Sequence, residues 1–198
     1  MKKTIINILT ISLCAICITG CGLNKDDAKS NILINDSSSI TERIREPFEA
    51  NYYNIDELKT AITDEVNSFN ASNGANIKIE KVAMAEKEAV TDVELIYGNS
   101  KEFSSFNNEI LFVGTPIEAQ SSGYDLKAIL TDVSDPSKTI TTVDIMAMGD
   151  YKIVIFDYSN GVFLPEKVAY KSDNCELIEP NKVLRTEGGL GLSYVMYK

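Results

Sequence analysis

The sequence predicts an α+β domain whose sheet or sheets are mostly antiparallel, with one long amphipathic helix toward its N-terminal side and short helices after it. Three observations carry this reading. Apolar residues recur at helical spacing over one long window, from about Ile55 to Ser72. Two further short segments carry helix N-caps. Roughly seven to nine short runs with strand character, punctuated by turn residues, fill most of the remainder.

The chain opens on an export signal. Lys2 and Lys3 form a basic start, and Thr4 to Ile18 is an apolar run too short to span a bilayer. Ile18-Thr19-Gly20-Cys21 follows. It resembles the lipobox of bacterial lipoproteins: a branched apolar residue, two small residues, then the acylated cysteine. The resemblance implies cleavage before Cys21 and a diacylglycerol thioether on its sulfur. Residues 1–20 are then a lipoprotein signal peptide. The protein is expected on the extracytoplasmic face of the cell membrane, held by lipid on Cys21. Cys14-Ala15-Ile16-Cys17 matches a redox pattern but falls in the discarded run.

Residues 21–45 read as a lipid-anchored tether and 46–198 as a single α+β domain. Lys25-Asp26-Asp27-Ala28-Lys29-Ser30 is polar, and Asp36-Ser37-Ser38-Ser39 is loop-like. Asn31-Ile32-Leu33-Ile34 interrupts the tether and suits docking on the domain. Treated as a coil, Gly22 to Arg45 has a reach of roughly 25–30 Å.

Composition excludes several function classes. The net charge of −10 becomes −12 once Lys2 and Lys3 leave with the signal. An acidic surface argues against nucleic acid, and against anionic head groups beyond the acyl anchor. The chain has no His and no Trp. Ser-His-Asp and Cys-His nucleophile pairs and histidine-ligated zinc are therefore excluded. After cleavage only Cys21 and Cys175 remain, so no disulfide framework exists, and Cys175 reads as a buried structural thiol. No cofactor is expected.

The long helix begins at a capping box, Asn54-Ile55-Asp56-Glu57, and ends at Asn73-Gly74. Its stripe, Ile55, Leu58, Ile62, Val66 and Phe69, is expected to pack on a sheet as core. Asn76 to Ala85 and Ala89 to Tyr97 read as a hairpin around Glu86-Lys87-Glu88. Asn99-Ser100-Lys101-Glu102 caps a short helix bearing Phe103, Phe106 and Ile110. Leu111-Phe112-Val113 is a buried strand. Thr115-Pro116-Ile117-Glu118 is a full cap with Pro at N1, and its helix ends at Gly123. Lys127 to Val133 is a strand closed by the turn Ser134-Asp135-Pro136-Ser137. Tyr151 to Tyr158 and Val162 to Leu164 flank Asn160-Gly161, which predicts a hairpin. Pro165 makes the next segment an edge or bulge. Lys167 to Lys171, Cys175 to Ile178, Lys182 to Arg185 and Leu192 to Tyr197 complete the strands.

Several clusters invite a functional reading. Glu86, Glu88, Asp92 and Glu94 surround one hairpin, and Asp132 and Asp135 flank a turn; a Ca²⁺ site and a solvated, aggregation-resistant edge are the alternatives, and the edge is favoured. Gly188-Gly189-Leu190-Gly191 lacks a following Lys-Ser/Thr and precedes a strand, so it reads as a flexible loop. Asp157-Tyr158-Ser159-Asn160-Gly161 fits a turn better than a Ca²⁺ loop. The tyrosines, Tyr52-Tyr53 among them, suit strand positions with a wet hydroxyl.

From about Ile40 onward the chain resembles a group of uncharacterised lipoproteins from low-GC, Gram-positive gut bacteria. The stretches that carry it are Ile40 to Phe48, Phe106-Asn107-Asn108, Phe112 to Ala119, Gly123 to Leu126 and Asp150 to Ile155. The resemblance implies no catalytic residue. The expected function is a non-enzymatic binding or interaction module that contacts an envelope protein or an extracellular ligand. The alternative is an envelope glycan or cell-wall hydrolase using paired carboxylates.

Overall fold

The computed structural model describes residues 29–36, 38–48, 54–85 and 89–198. Residues 1–20, Cys21, Tyr52-Tyr53 and the Glu86-Lys87-Glu88 turn lie outside the described residues.

The elements run β1 (Asn31–Ile34), β2 (Ile40–Pro47), α1 (Ile55–Asn73), β3 (Lys78–Ala85), β4 (Val90–Tyr97), α2 (Ser100–Asn107) and β5 (Leu111–Gly114). Then come α3 (Pro116–Ser121), β6 (Leu130–Asp132), β7 (Thr139–Ile140), α4 (Thr142–Ala147) and β8 (Lys152–Phe156). The chain ends with β9 (Gly161–Phe163), β10 (Val168–Ser172), β11 (Cys175–Glu179), β12 (Lys182–Arg185) and β13 (Ser193–Tyr197). The protein is α+β. One sheet has the order β11-β12-β9-β1-β2-β4-β3, the other β5-β8-β13-β10-β6-β7. Pairing is antiparallel apart from β1 against β9.

Side-chain alternation explains the layering. On β8, Val154 and Phe156 enter one core with residues of the first sheet, including Ile32, Ile34, Ile40 and Val162. Ile153 and Ile155 enter a second core with Ala119 of α3, Ile145 of α4, Leu126 and Leu130. Strand residues alternate faces, so the second sheet is a middle layer, buried by the first sheet on one face and by short helices on the other. On β10, Val168 belongs to the first core and Tyr170 to the second, although two residues apart. A register shift between them accounts for the switch.

The longest helix among the described residues, α1, runs one residue past the expected Ser72. Asn54 Oδ1 accepts from the backbone N–H groups of Asp56 (2.9 Å) and Glu57 (3.4 Å), and Gly74 ends the helix at φ +62°. Of the expected core stripe only Val66 is fully buried; Ile62 and Phe69 are half-buried against the core, and Leu58 is half-buried. The helix lies along β3, at the margin of the first sheet, so its stripe is only partly covered. Phe69 meets Phe106 of α2 edge-on, with ring centroids 5.2 Å apart.

Three expectations need correction. Residues 21–45 are not all tether: Asn31–Ile34 is an inner strand of the seven-stranded sheet, β2 begins at Ile40, and Ile32, Ile34 and Ile40 have no exposed surface. The domain therefore reaches back past residue 46. Asn160-Gly161 is not a hairpin turn, because β8 pairs with β5 and β13 while β9 pairs with β1 and β12. The chain crosses there from one sheet to the other. The C-terminal half also holds a helix that was not expected, α4, whose Thr141 N–H and hydroxyl donate to Asp144 Oδ2 at 2.9 and 3.1 Å.

Candidate functional site

The most unusual chemistry lies around Glu42. On β2 the alternation Ile40, Glu42, Ile44 turns this glutamate toward the first core, where it is 5% exposed. Tyr97 of β4, paired through its backbone with Ile40, brings its hydroxyl to the carboxylate. Tyr97 Oη donates to Glu42 Oε2 at 2.5 Å, and Asn107 Nδ2, from the last turn of α2, donates to the same oxygen at 3.0 Å. Asn107 Nδ2 also lies 3.2 Å from Tyr97 Oη. Burial raises the Glu42 carboxyl above its usual range, and the two donors partly offset this. Burial and then the Glu42 charge push the Tyr97 phenol up, so it stays a donor.

Glu109 faces the same acid from the connection between α2 and β5. Its Oε2 is buried without a hydrogen-bond partner among the described residues. Burial first, then the charges of Glu42 and Asp157, push its carboxyl up to about 7. Asp157 Oδ1 accepts from Ile110 N at 2.8 Å. Tyr158, 5% exposed, stacks edge-on against Phe103 at 6.0 Å, and burial holds its phenol protonated.

A second cluster sits on the opposite face of the same strands. Arg43 grips Asp92 with Nε to Oδ1 at 2.8 Å and Nη2 to Oδ2 at 3.0 Å, and Lys81 Nζ reaches Oδ2 at 2.5 Å. Arg43, with Lys81 behind it, holds the Asp92 carboxyl well below the usual range against the opposing effect of burial.

Of the acids that the sequence grouped, Glu86 and Glu88 lie outside the described residues, and Asp92, Asp132 and Asp135 have partners of their own. Asp92 is saturated by two cations rather than left open to Ca²⁺. Asp132 and Asp135 are turn caps: Asp132 Oδ1 accepts from Ser134 N (2.8 Å) and Oγ (2.6 Å), and Asp135 Oδ1 from Ser137 Oγ (2.6 Å). Among the described residues no group of three Cys, Asp or Glu side chains is placed to hold a metal ion. Cys175 is a buried free thiol in the first core. The Gly188–Gly191 loop is pinned rather than loose: Arg185 Nη2 donates to the carbonyls of Gly189 (2.8 Å) and Gly191 (2.6 Å). Tyr97, Tyr158 and Tyr197 are buried, and Tyr124, Tyr151, Tyr170 and Tyr194 are half-buried. A groove of about 420 Å³ is lined by Val133, Lys167, Leu177 and Ile178, and another of about 460 Å³ by Lys59, Thr63 and Glu80; neither is lined by Glu42 or Glu109.

Sequence reasoning missed Glu42, Asn107 and Glu109. The available signal was a charged residue at an inward position of an alternating strand, flanked by Ile40 and Ile44. Compared with protein-family models, curated proteins and solved structures, the chain matches none.

Proposed function

We propose that this chain is a lipid-anchored surface protein of the cell membrane's outer face, acting as a binding or interaction module toward an envelope protein or an extracellular ligand. The observation that carries the reading is Ile18-Thr19-Gly20-Cys21 directly after a basic start and a short apolar run. The fold adds a distance. Ser30 Oγ accepts from Arg45 N at 2.9 Å, which ties the chain to the sheet just before β1. The nine residues between Cys21 and Asn31 span at most about 32 Å. The domain then works close to the bilayer, and its partner is membrane-proximal. Labelled fatty acid is expected to enter the protein and to be lost in Cys21→Ala, with that variant released into the medium. Unlabelled wild-type protein retained in the cytoplasm refutes the anchor.

The hydrolase reading gains one specific support, the raised carboxyl of Glu109 beside Glu42. A general acid must reach its substrate. Glu42 is enclosed between strands and already holds two donors on one oxygen, so binding is the preferred reading. Turnover of a wall-derived glycan by the wild type, lost in Glu109→Gln with the fold intact, would reverse that preference.

A further inference from the structure

The connection between α2 and β5 is fastened to acids at both of its ends. At one end Asn107 Nδ2 donates to Glu42 Oε2 at 3.0 Å. At the other, Ile110 N donates to Asp157 Oδ1 at 2.8 Å. Between them Asn108 ends α2 in the left-handed conformation, φ +57°, which asparagine readily adopts at a helix C-terminus. These fastenings leave Glu109 between two carboxylates, with one buried oxygen lacking a hydrogen-bond partner among the described residues. We infer that Asn107–Ile110 is a proton-operated latch: it closes over Glu42 and Asp157 while Glu109 is neutral, and loosens when Glu109 ionises.

The surrounding groups give the direction. Glu42 faces Glu109 from β2, and Asp157 and Tyr158 face the cluster from the end of β8. Tyr97 faces it from β4 through Glu42. Arg185 of β12 approaches the same end of β8 and donates its Nη1 to the Asp157 carbonyl at 2.9 Å. Burial and the charges of Glu42 and Asp157 therefore disfavour an ionised Glu109. Its carboxyl, at about 7, places the opening at neutral pH. Just beyond the latch Leu111 N donates to Ser104 Oγ at 2.9 Å, so α2 still holds the start of β5 and the opening is confined to Asn107–Ile110. The device would let an outer-face protein change shape between mildly acidic and mildly alkaline surroundings.

Amide hydrogen exchange on the full chain at pH 5.5 and 8.5, corrected for the intrinsic pH dependence of exchange, tests this. Protection of the Ile110 amide should fall by about tenfold or more toward pH 8.5, while the Leu111 amide and those of β8 and β13 keep theirs. Glu109→Gln should hold the high protection at both values. Glu42→Gln removes one facing charge, so the midpoint should move to lower pH by less than the full shift. This follows because Glu42 then repels Glu109 less, leaving burial and Asp157. Equal protection at both pH values in the wild type, or a wild-type profile in Glu109→Gln, would overturn the latch.

Discussion

Glu42 and Asp92 are acids of neighbouring strands, buried to nearly the same extent, at 5% and 4% exposed. They differ in almost everything else. Glu42 points into the core, where its donors are a phenol and an amide, both neutral. Asp92 points out of the first sheet, where its donors are a guanidinium and an ammonium. Burial raises the first carboxyl, and cations drive the second down. The alternation of β2, which sends Glu42 inward and Arg43 outward, decides which acid receives a counter-charge. Equal burial thus gives opposite proton affinities, because partners rather than depth set the sign.

The largest effect that sharpens this contrast comes from removing the outer charge. Asp92→Asn leaves Arg43 and Lys81 facing an amide that cannot accept a bidentate guanidinium in the same way. Breaking a well-buried ion pair costs several kcal/mol. Here Arg43 and Lys81 side chains are 28% and 46% exposed, so solvent recovers part of the loss, and about 2 kcal/mol is expected in urea unfolding at pH 7. A change within error would mean that the outer cluster is decorative.

The pH dependence separates the two acids by sign. The Asp92 carboxyl is lowered in the fold, so its stabilisation is present above its unfolded value of 3.8 and is lost as pH falls through the lower folded value. Glu42 and Glu109 are raised, so their effect runs the other way: stability is highest below the unfolded value of 4.5 and declines as pH rises from there. For Glu109 that decline ends near pH 7. Urea midpoints measured from pH 3 to 9 should fall on both sides of a maximum near pH 4 to 5, with Glu109→Gln flattening the alkaline limb only. A flat alkaline limb in the wild type would break the comparison.

How much of this was legible in the sequence follows from the range of each signal. Asn54, Gly74 and the stripe through Val66 specify α1 within its own residues, and so could be read. The depth of that helix could not, because it depends on where β3 sits in the sheet. Asn160-Gly161 is a sound local turn signal, yet β8 is apolar on both faces from Ile153 to Phe156, and two-sided burial placed it at the centre of the other sheet. Four residues between polar segments carry little periodicity, so Asn31–Ile34 resembles tether in the sequence; its inner place in the sheet needs β9, far along the chain, on the edge that the adjacent β2 leaves open. The cluster around Glu42 joins β2, β4 and the end of α2, and Glu109 approaches it from the following connection. Only tertiary structure brings those residues together.

A smaller effect tests the neutral side. Tyr97→Phe deletes the hydroxyl that donates to Glu42 and leaves Asn107 as its remaining donor in the cluster. Because Asn107 still donates to the same oxygen, the loss should stay near the net worth of one hydrogen bond, about 1 kcal/mol. The ring remains and keeps its edge contact with Phe103, at 5.2 Å between centroids, so packing should survive. Removing a donor that favours the charged form should push the Glu42 carboxyl higher still and steepen the alkaline decline. An unchanged pH profile would show that the phenol packs without tuning the acid.

The smallest expected effect is on Lys81, and it closes the comparison from the outer side. Its ammonium sits on Asp92 Oδ2, which already accepts from Arg43 Nη2 at 3.0 Å. With the lysine side chain nearly half exposed, water replaces it at little cost, and exposed pairs contribute roughly 0.2–1 kcal/mol. Lys81→Met, which keeps the aliphatic stem over the sheet, should therefore lose less than about 1 kcal/mol. High salt should shrink the difference between Lys81→Met and wild type, since exposed charges are screened within roughly 10 Å at 0.1 M. Arg43→Met should lose clearly more than Lys81→Met, because Arg43 supplies both guanidinium contacts and is the better buried of the two cations. If the two variants cost the same, the bidentate grip is not what distinguishes Asp92 from Glu42, and net positive charge alone would account for the difference.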